Sequence, residues 1–561
     1  MRSIITSIAL VVLLAGCTAP AGPLAPSGPV SDAEPRAASA PKRITMAILV
    51  DPTTVRDNRS RPFPALLVAG LTLDNETGDR RAVLAEAVPS TQNGTWKVFP
   101  DSRMETTWRL REGTRWHDGQ PLTSEDLLFT ATLGRDRELP ELYDPAFDLV
   151  ERVEALDQRT VVVSWKQPFI EADTLFSFAR MRVTVPFPRH LLEGPYLESK
   201  ATLETLPYWT TELISSGPFR LREWVVSNYA RLEAFPDYAP GRPKVDVLEV
   251  KFITDPNTLI ANVLAGGADL TAPRALSIEQ AVAARELWRD GKVVASVEGW
   301  TMMYPQHHHP SPAVLGEAQF RRALVHAIDR QQLADTLGAG HSTVAHSIVA
   351  PDQAQYRFVE SSIARYDHDP RRAVQTLEGM GLARRPDGAF VDSNGERISL
   401  KIQTTINDTS QKTAFATADF WQRIGIMGDV TVLSPAAGGR PDRWAYTGFD
   451  LVNQSHGVDG ITNVLHSSAA PLPERNYMAP AAARNRGSYV NPEYDAVMDR
   501  YLTTIPMGER MQALAQLVRW QTDLQLVIGF FYSVNGILLS DRLVNVHPGT
   551  GWNAHEWAVT G

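Results

Sequence analysis

Apolar residues along the chain fall into short bursts, and the spacing inside each burst predicts its element. Ile44 to Val50 is a β-like run closed by Asp51-Pro52. Thr106 to Leu110, Val245 to Phe252 and Ile398 to Gln403 alternate as strands. Thr160 to Trp165 is Val-rich and Phe530 to Leu539 is strand-like. Helical spacing takes over in Phe320, Ala323, Leu324, Ala327 and Ile328, again over residues 411–424, and in Met511, Leu514, Leu517 and Val518 from about Gly508. Asp255-Pro256-Asn257 opens a further helix to about Leu264, and Thr123 with Asp126 three residues on reads as a capping box. Turns are signalled at His117-Asp118-Gly119-Gln120-Pro121 and Ser216-Gly217-Pro218. Strands and helices alternate to the end with no internal repeat, which predicts an α/β class with at least two sheets.

The first forty residues follow a different pattern. After Arg2, Ile4 to Leu14 is a largely apolar run, too short for the roughly 20 residues of a membrane span and fitting an export signal. Leu14-Ala15-Gly16-Cys17 resembles the lipobox of bacterial lipoproteins. That likeness implies cleavage of residues 1–16 and lipidation of Cys17. The alternative is an ordinary cleaved signal. Residues 17–43 carry Pro20, Pro23, Pro26, Pro29, Pro35 and Pro41 among Ala, Gly and Ser, the composition of a semi-extended tether.

Composition narrows the function classes. The 561 residues carry a formal charge of −9, which argues against a nucleic-acid surface. Cys17 is the only cysteine, so neither an internal disulfide nor a Cys-rich zinc site can form. The chain shows no Gly-x-Ser-x-Gly elbow and no phosphate-binding loop; His555-Glu556 lacks the second histidine of a zinc-protease helix, and Gly379-Met380-Gly381 lacks the third glycine of a dinucleotide loop.

Four stretches in order resemble the dipeptide/oligopeptide-binding type of bacterial extracellular solute-binding proteins, family 5. They are Trp108-Arg109-Leu110-Arg111-Glu112-Gly113 with Trp116 to Leu127; Ser216 to Leu221 with Trp224 and Pro236-Asp237-Tyr238; Phe320-Arg321-Arg322-Ala323-Leu324 through Arg330; and Tyr366-Asp367 with Asp369-Pro370, Ala373 and Gly379 to Leu382. Asn491-Pro492-Glu493-Tyr494-Asp495 is a weaker fifth. The resemblance implies a two-lobed α/β fold of the periplasmic-binding-protein kind, with a hinge and an extra subdomain in lobe one. Carried onto this chain, lobe one is 44–305 plus 520–561, its insertion about 80–205, and lobe two 306–519. It further implies a monomeric receptor, without cofactor or catalysis. Such a receptor captures peptides between its lobes and delivers them to the permease and ATPase subunits of an ABC importer.

In the peptide-binding members of that family an aspartate pairs with the ligand's α-ammonium. Phe449-Asp450-Leu451 matches the strand that precedes it; Asp459 is the best positional match and Asp450 the fallback, with His456 beside them. The Trp and Pro of the family pattern are absent here, which leaves other solutes open: a nickel chelate, haem or an oligosaccharide. Trp444, Tyr304 and Trp300 are candidate cleft aromatics. His307-His308-His309, bracketed by Pro305 and Pro310, is expected as a loop near the cleft and is the alternative metal-binding set. Successive residues of an extended chain alternate faces, which works against three ligands on one ion. Arg321, Arg322 and Asp329 are expected in surface ion pairs. An anchored hydrolase and a ligand-reporting signalling role are the rival functions.

Overall fold

A computed structural model describes residues 40–56, 62–75, 78–178, 184–434, 441–454, 465–475, 477, 485–547 and 553–560. Cys17, His456 and Asp459 lie outside them. The principal strands are β1 (Arg43–Ile48), β2 (Trp96–Val98), β3 (Met104–Arg109), β4 (Val150–Ala155), β5 (Thr160–Trp165), β6 (Phe219–Val225), β7 (Tyr229–Ala234) and β8 (Val247–Phe252). They continue with β9 (Leu270–Thr271), β10 (Leu276–Ser277), β11 (Gly291–Pro305), β12 (Ser399–Thr404), β13 (Met427–Val432), β14 (Phe449–Gln454) and β15 (Ile528–Ser540). One sheet runs β13-β12-β14-β11-β15-β9-β1-β8-β7-β6, with β10 pairing β15; a separate four-stranded sheet runs β2-β3-β5-β4.

The architecture turns on β11 and β15, which pair antiparallel over nearly their whole length. Along β11 the packing changes hands: Val294 lies against a core holding Ile44, Leu248 and Leu539, whereas Trp300, Met302 and Tyr304 belong to a core with Tyr494, Leu514 and Leu517. Met303 joins a further core on the opposite face, with Phe320, Leu400 and Trp421. The strands thus cross from one half of the molecule into another. Trp300, Met302, Met303 and Tyr304 of β11 and Ile528, Phe530, Phe531 and Tyr532 of β15 all pack in these last two cores. The β11–β15 register slips between Val297 and Gly299, where the cores change. Such a bulge locally bends the ladder. Gly299 has its own reason: a Cβ there would stand 2.3 Å from the Gln454 carbonyl oxygen.

The four-stranded sheet has its own core of Trp96, Met104, Trp108, Leu127, Val161, Val163 and Trp165. The helix Ser124–Arg135 covers it, started by the expected box: the Thr123 N–H donates to Asp126 Oδ2 at 2.8 Å. His117, in the predicted turn, is buried and ties this unit to the main sheet. One ring nitrogen lies 3.1 Å from the Gly217 carbonyl, and the other faces the Ser215 N–H at 3.4 Å.

Arg321 is a correction. Its neighbours behave as expected: Arg322 pairs with Asp523 at 2.9 Å, and Asp329 faces His368 at 3.3 Å while also capping the helix Arg330–Leu337. Arg321 itself is buried and donates to the carbonyls of Leu315, Gly316, Leu524 and Gln525 at 2.8–3.2 Å. Leu524 and Gln525 immediately follow the helix Met507–Asp523, so the guanidinium satisfies the carbonyls that close the helix and opposes the negative end of its dipole. A guanidinium fork serves several carbonyls at once, which is why the site demands arginine on an otherwise apolar face. Among the described residues no helix is long and apolar enough to cross a membrane.

Candidate functional site

Strand direction locates the cleft. β1 is parallel to β8 and β9, while β12 is parallel to β13 and β14. Between the sets lie β15 and β11; β9–β15, β15–β11 and β11–β14 are all antiparallel. The parallel strands of the two halves therefore run toward each other. Their carboxyl ends, Ile48, Phe252 and Thr271 on one side and Thr404, Val432 and Gln454 on the other, face across the crossing point. Ligands of open α/β sheets bind beyond the carboxyl ends of strands. Here two such ends converge on one gap.

The candidate residues spread out from that gap. Trp300 pairs with Gln454 at its edge and is buried in the second half's core. Tyr304 pairs with Asp450 four residues deeper, about 13 Å from the edge at ~3.3 Å per residue. Both are fully buried, so Trp300 and Tyr304 act first as core residues. His307 lies farther still, past the end of β11, and not at the cleft edge as expected. Burial lowers its pKa to about 3; its Nε2 sits 3.2 Å from the Leu526 carbonyl, and its ring packs on Tyr489. His308 and His309 pack on each other with centroids 4.1 Å apart. Among the described residues no group of three or more His, Cys, Asp or Glu side chains is gathered tightly enough for a metal ion.

Asp450 is the centre of a network that sequence reasoning missed. Its Oδ1 faces Arg443 Nη2 at 3.4 Å and accepts from Gln403 Nε2 at 3.2 Å, while Oδ2 faces Arg486 Nη1 at 3.1 Å. A carboxylate with no exposed surface requires such partners, because an unpaired buried charge is prohibitively costly. Both guanidinium groups lie over the half-buried Trp444 ring, 5.0 and 5.1 Å from its centroid. A guanidinium has no acceptor, so the Gln454 amide must turn its oxygen toward Arg486. That oxygen then accepts from Nε and Nη2 at 2.8 and 2.9 Å, while the amide nitrogen donates to Tyr304 Oη at 2.9 Å. The buried Tyr446 hydroxyl donates to the Arg486 carbonyl at 3.0 Å. Burial first, and Asp450 second, hold its pKa well above the ordinary tyrosine value. One chain of bonds thus runs from Asp450 through Arg486 to Gln454, the residue at the cleft edge. The only sequence signal was Asp450 itself: an acid inside the apolar run Phe449 to Val452 calls for a cation elsewhere in the chain.

On the other sheet face at the crossing, Thr301 Oγ1 and Ser533 Oγ stand 3.0 Å apart, and Asn453 Nδ2 donates to Ser533 Oγ at 2.7 Å. Neutral hydrogen-bonding groups thus stand at the crossing, Thr301 and Ser533 buried and Asn453 exposed.

Comparisons with known proteins agree with this geometry. Residues 87–465 match the profile of bacterial extracellular solute-binding proteins, family 5. A Brucella ovis protein named for a presumed peptide-binding role in an ABC transporter is 28% identical over 322 residues, 57% of this chain and 54% of that protein. The chain thus spans about half the length of that relative. The oligopeptide-binding protein AppA of Bacillus subtilis, solved with a nonapeptide, superposes with a TM-score of 0.71 at 19% identity, covering 93% of this chain and all (100%) of that one. The Campylobacter jejuni protein NikZ, solved with Ni(L-His), gives a TM-score of 0.73 at 18% identity over 92% and 100% of the two chains. The fold is the two-lobed one expected, and the chain belongs to the bacterial extracellular solute-binding proteins of family 5.

Proposed function

We propose that this chain is the solute receptor of an ABC importer and captures a peptide between its two lobes for delivery to the permease. The observation that carries the reading is the facing pair of strand ends across the β11–β15 crossing. A gap between two separately packed halves, joined by two continuous strands, can close on a ligand by a hinge. Ligand that touches both halves favours the closed form, and a permease that recognises that form takes up only loaded receptor. Lobe one is then β1 to the first part of β11 plus the end of β15 onward, with the insertion at about 80–205. Lobe two is the chain between. The similarity to a nonapeptide-bound structure supports a peptide ligand; the NikZ likeness supports a small chelate as the second reading.

Native mass spectrometry of residues 41–561, purified without refolding, tests the ligand class. Micromolar affinity corresponds to about −8 kcal/mol, enough for carry-through. A bound mass fragmenting as peptides supports the proposal, and a metal-bearing mass replaces it with the second reading.

Asp459 is proposed as the ammonium partner, since both oxygens of Asp450 already have guanidinium and amide partners. Asp459→Ala is expected to weaken binding of a free-amine peptide at least about thirtyfold, the lower end of stripping a buried charge of its partner. Calorimetric titration checks this, and unchanged affinity removes Asp459 from the site.

Lipid anchoring through Cys17 is the reading that the Leu14 to Cys17 pattern supports. Cys17→Ser is expected to move the protein from the membrane to the soluble fraction on cell fractionation. Retention in the membrane fraction would remove the anchor.

A further inference from the structure

The two halves also touch away from the crossing, and the contact has a reciprocal form. Phe169 belongs to the core of the inserted subdomain, but the next residue, Ile170, packs against the core of the second half. In return Ile505, which follows the second-half helix Pro492–Thr503, packs against the subdomain core. Between them the Ile170 N–H donates to the Leu502 carbonyl at 3.0 Å. Each half thus lends one isoleucine to the other, and a backbone hydrogen bond fixes the register. Both isoleucines are only partly buried, so the contact is thin. Elsewhere between the halves, Lys412 Nζ, paired with Asp408 at 2.8 Å, lies 3.8 Å from Glu279 of the first half. That pair is exposed and adds little energy.

We propose that Ile170, Leu502 and Ile505 form a clasp that holds the lobes closed, so that the inserted subdomain sets the resting balance between open and closed receptor. The inference rests on the reading that the lobes hinge about the β11–β15 crossing. The physics favours a thin apolar contact for this task. Burying part of two isoleucines stabilises the closed form by an amount a ligand can add to or a permease can overcome, whereas a wide interface would lock the hinge. The hydrogen bond supplies geometry that apolar contact lacks.

The test is a distance measurement on the protein without added solute. Cys17 is the only native cysteine, so spin labels at Leu197→Cys and Met427→Cys in a Cys17→Ser chain report one distance between the halves. Both positions are well exposed. Ile505→Ser is expected to raise the open-to-closed ratio about fivefold, as partial loss of one buried aliphatic group implies. Ile170→Ser should do the same, and the double variant should add little to either. A distance distribution identical to the parent's in both single variants overturns the clasp. The readout needs no ligand, so a mistaken ligand class leaves it intact. A parent locked at one distance under added urea, short of unfolding, would instead remove the hinge itself and with it the capture mechanism. Should Ile505→Ser fail to fold, Ile170→Ser carries the same test.

Discussion

Asp450→Ala is expected to destabilise the second lobe by about 3–5 kcal/mol, the cost of removing one partner from a buried ion pair. The residue has no exposed surface, and its two oxygens face Arg443, Arg486 and Gln403. Removing the carboxylate takes from two buried guanidinium groups the acid they share, and it leaves a cavity at the start of β14. Asp450→Asn keeps the shape and an acceptor oxygen but loses the charge, so it should fall between parent and Ala. Urea unfolding monitored by tryptophan fluorescence measures both, because Trp444 lies beneath the two guanidinium groups. A loss below about 1 kcal/mol would mean that the network relaxes around the gap. The expectation has a functional side. The bonds from Arg486 continue to Gln454 at the cleft edge, so the variant should also loosen ligand binding without Asp450 touching ligand.

The same residues show what a sequence can and cannot reveal. The strand bursts at Ile44, Thr106, Thr160, Val245, Ile398 and Phe530 are all strands, and the capping box at Thr123 and Asp126 forms as spaced. Local patterns were legible because they report local periodicity. The longest strand, β11, escaped notice. Its sequence, Gly291-Lys292-Val293-Val294-Ala295-Ser296-Val297-Glu298-Gly299-Trp300, breaks alternation where the register slips and where burial passes from one core to another. A strand that serves two cores cannot show one period. Arg321 was misplaced for a related reason: helical spacing puts a charged residue on the solvent face unless a distant element supplies acceptors. Here the end of the helix Met507–Asp523 does so from about two hundred positions away. The cluster about Asp450 likewise joins Gln403, Arg443 and Arg486, and no local rule relates them. The three-histidine motif is the converse case. The run is conspicuous in sequence, yet the fold turns His307 toward a backbone carbonyl and leaves the next two packed on each other.

Acid should weaken this protein well before its carboxylates protonate. Burial lowers His117 from 6.5 to about 4; the Gly217 carbonyl works against the shift, and Arg220 adds to it. The ring sits neutral between the Gly217 carbonyl and the Ser215 N–H, where one nitrogen donates and the other accepts. A second proton would destroy the acceptor. In the unfolded chain the same ring takes up its proton near 6.5. Between pH 6.5 and about 4 the unfolded state therefore binds more protons than the folded one, and stability falls on acidification. His117 contributes about 1.4 kcal/mol for each pH unit in that window, and nothing further below it. His307, lowered to about 3, and His346, lowered to about 4, act with the same sign. Each adds a slope of the same order, over the window from 6.5 down to its own folded value. Urea unfolding at pH 7, 6 and 5 measures the total. His117→Gln keeps a donor and an acceptor but cannot titrate. It should flatten the profile by about 1.4 kcal/mol per pH unit. An unaltered slope in that variant would mean that the ring is already charged in the folded protein. The tie between the subdomain and the Gly217 turn would then have to be held by something other than a neutral imidazole.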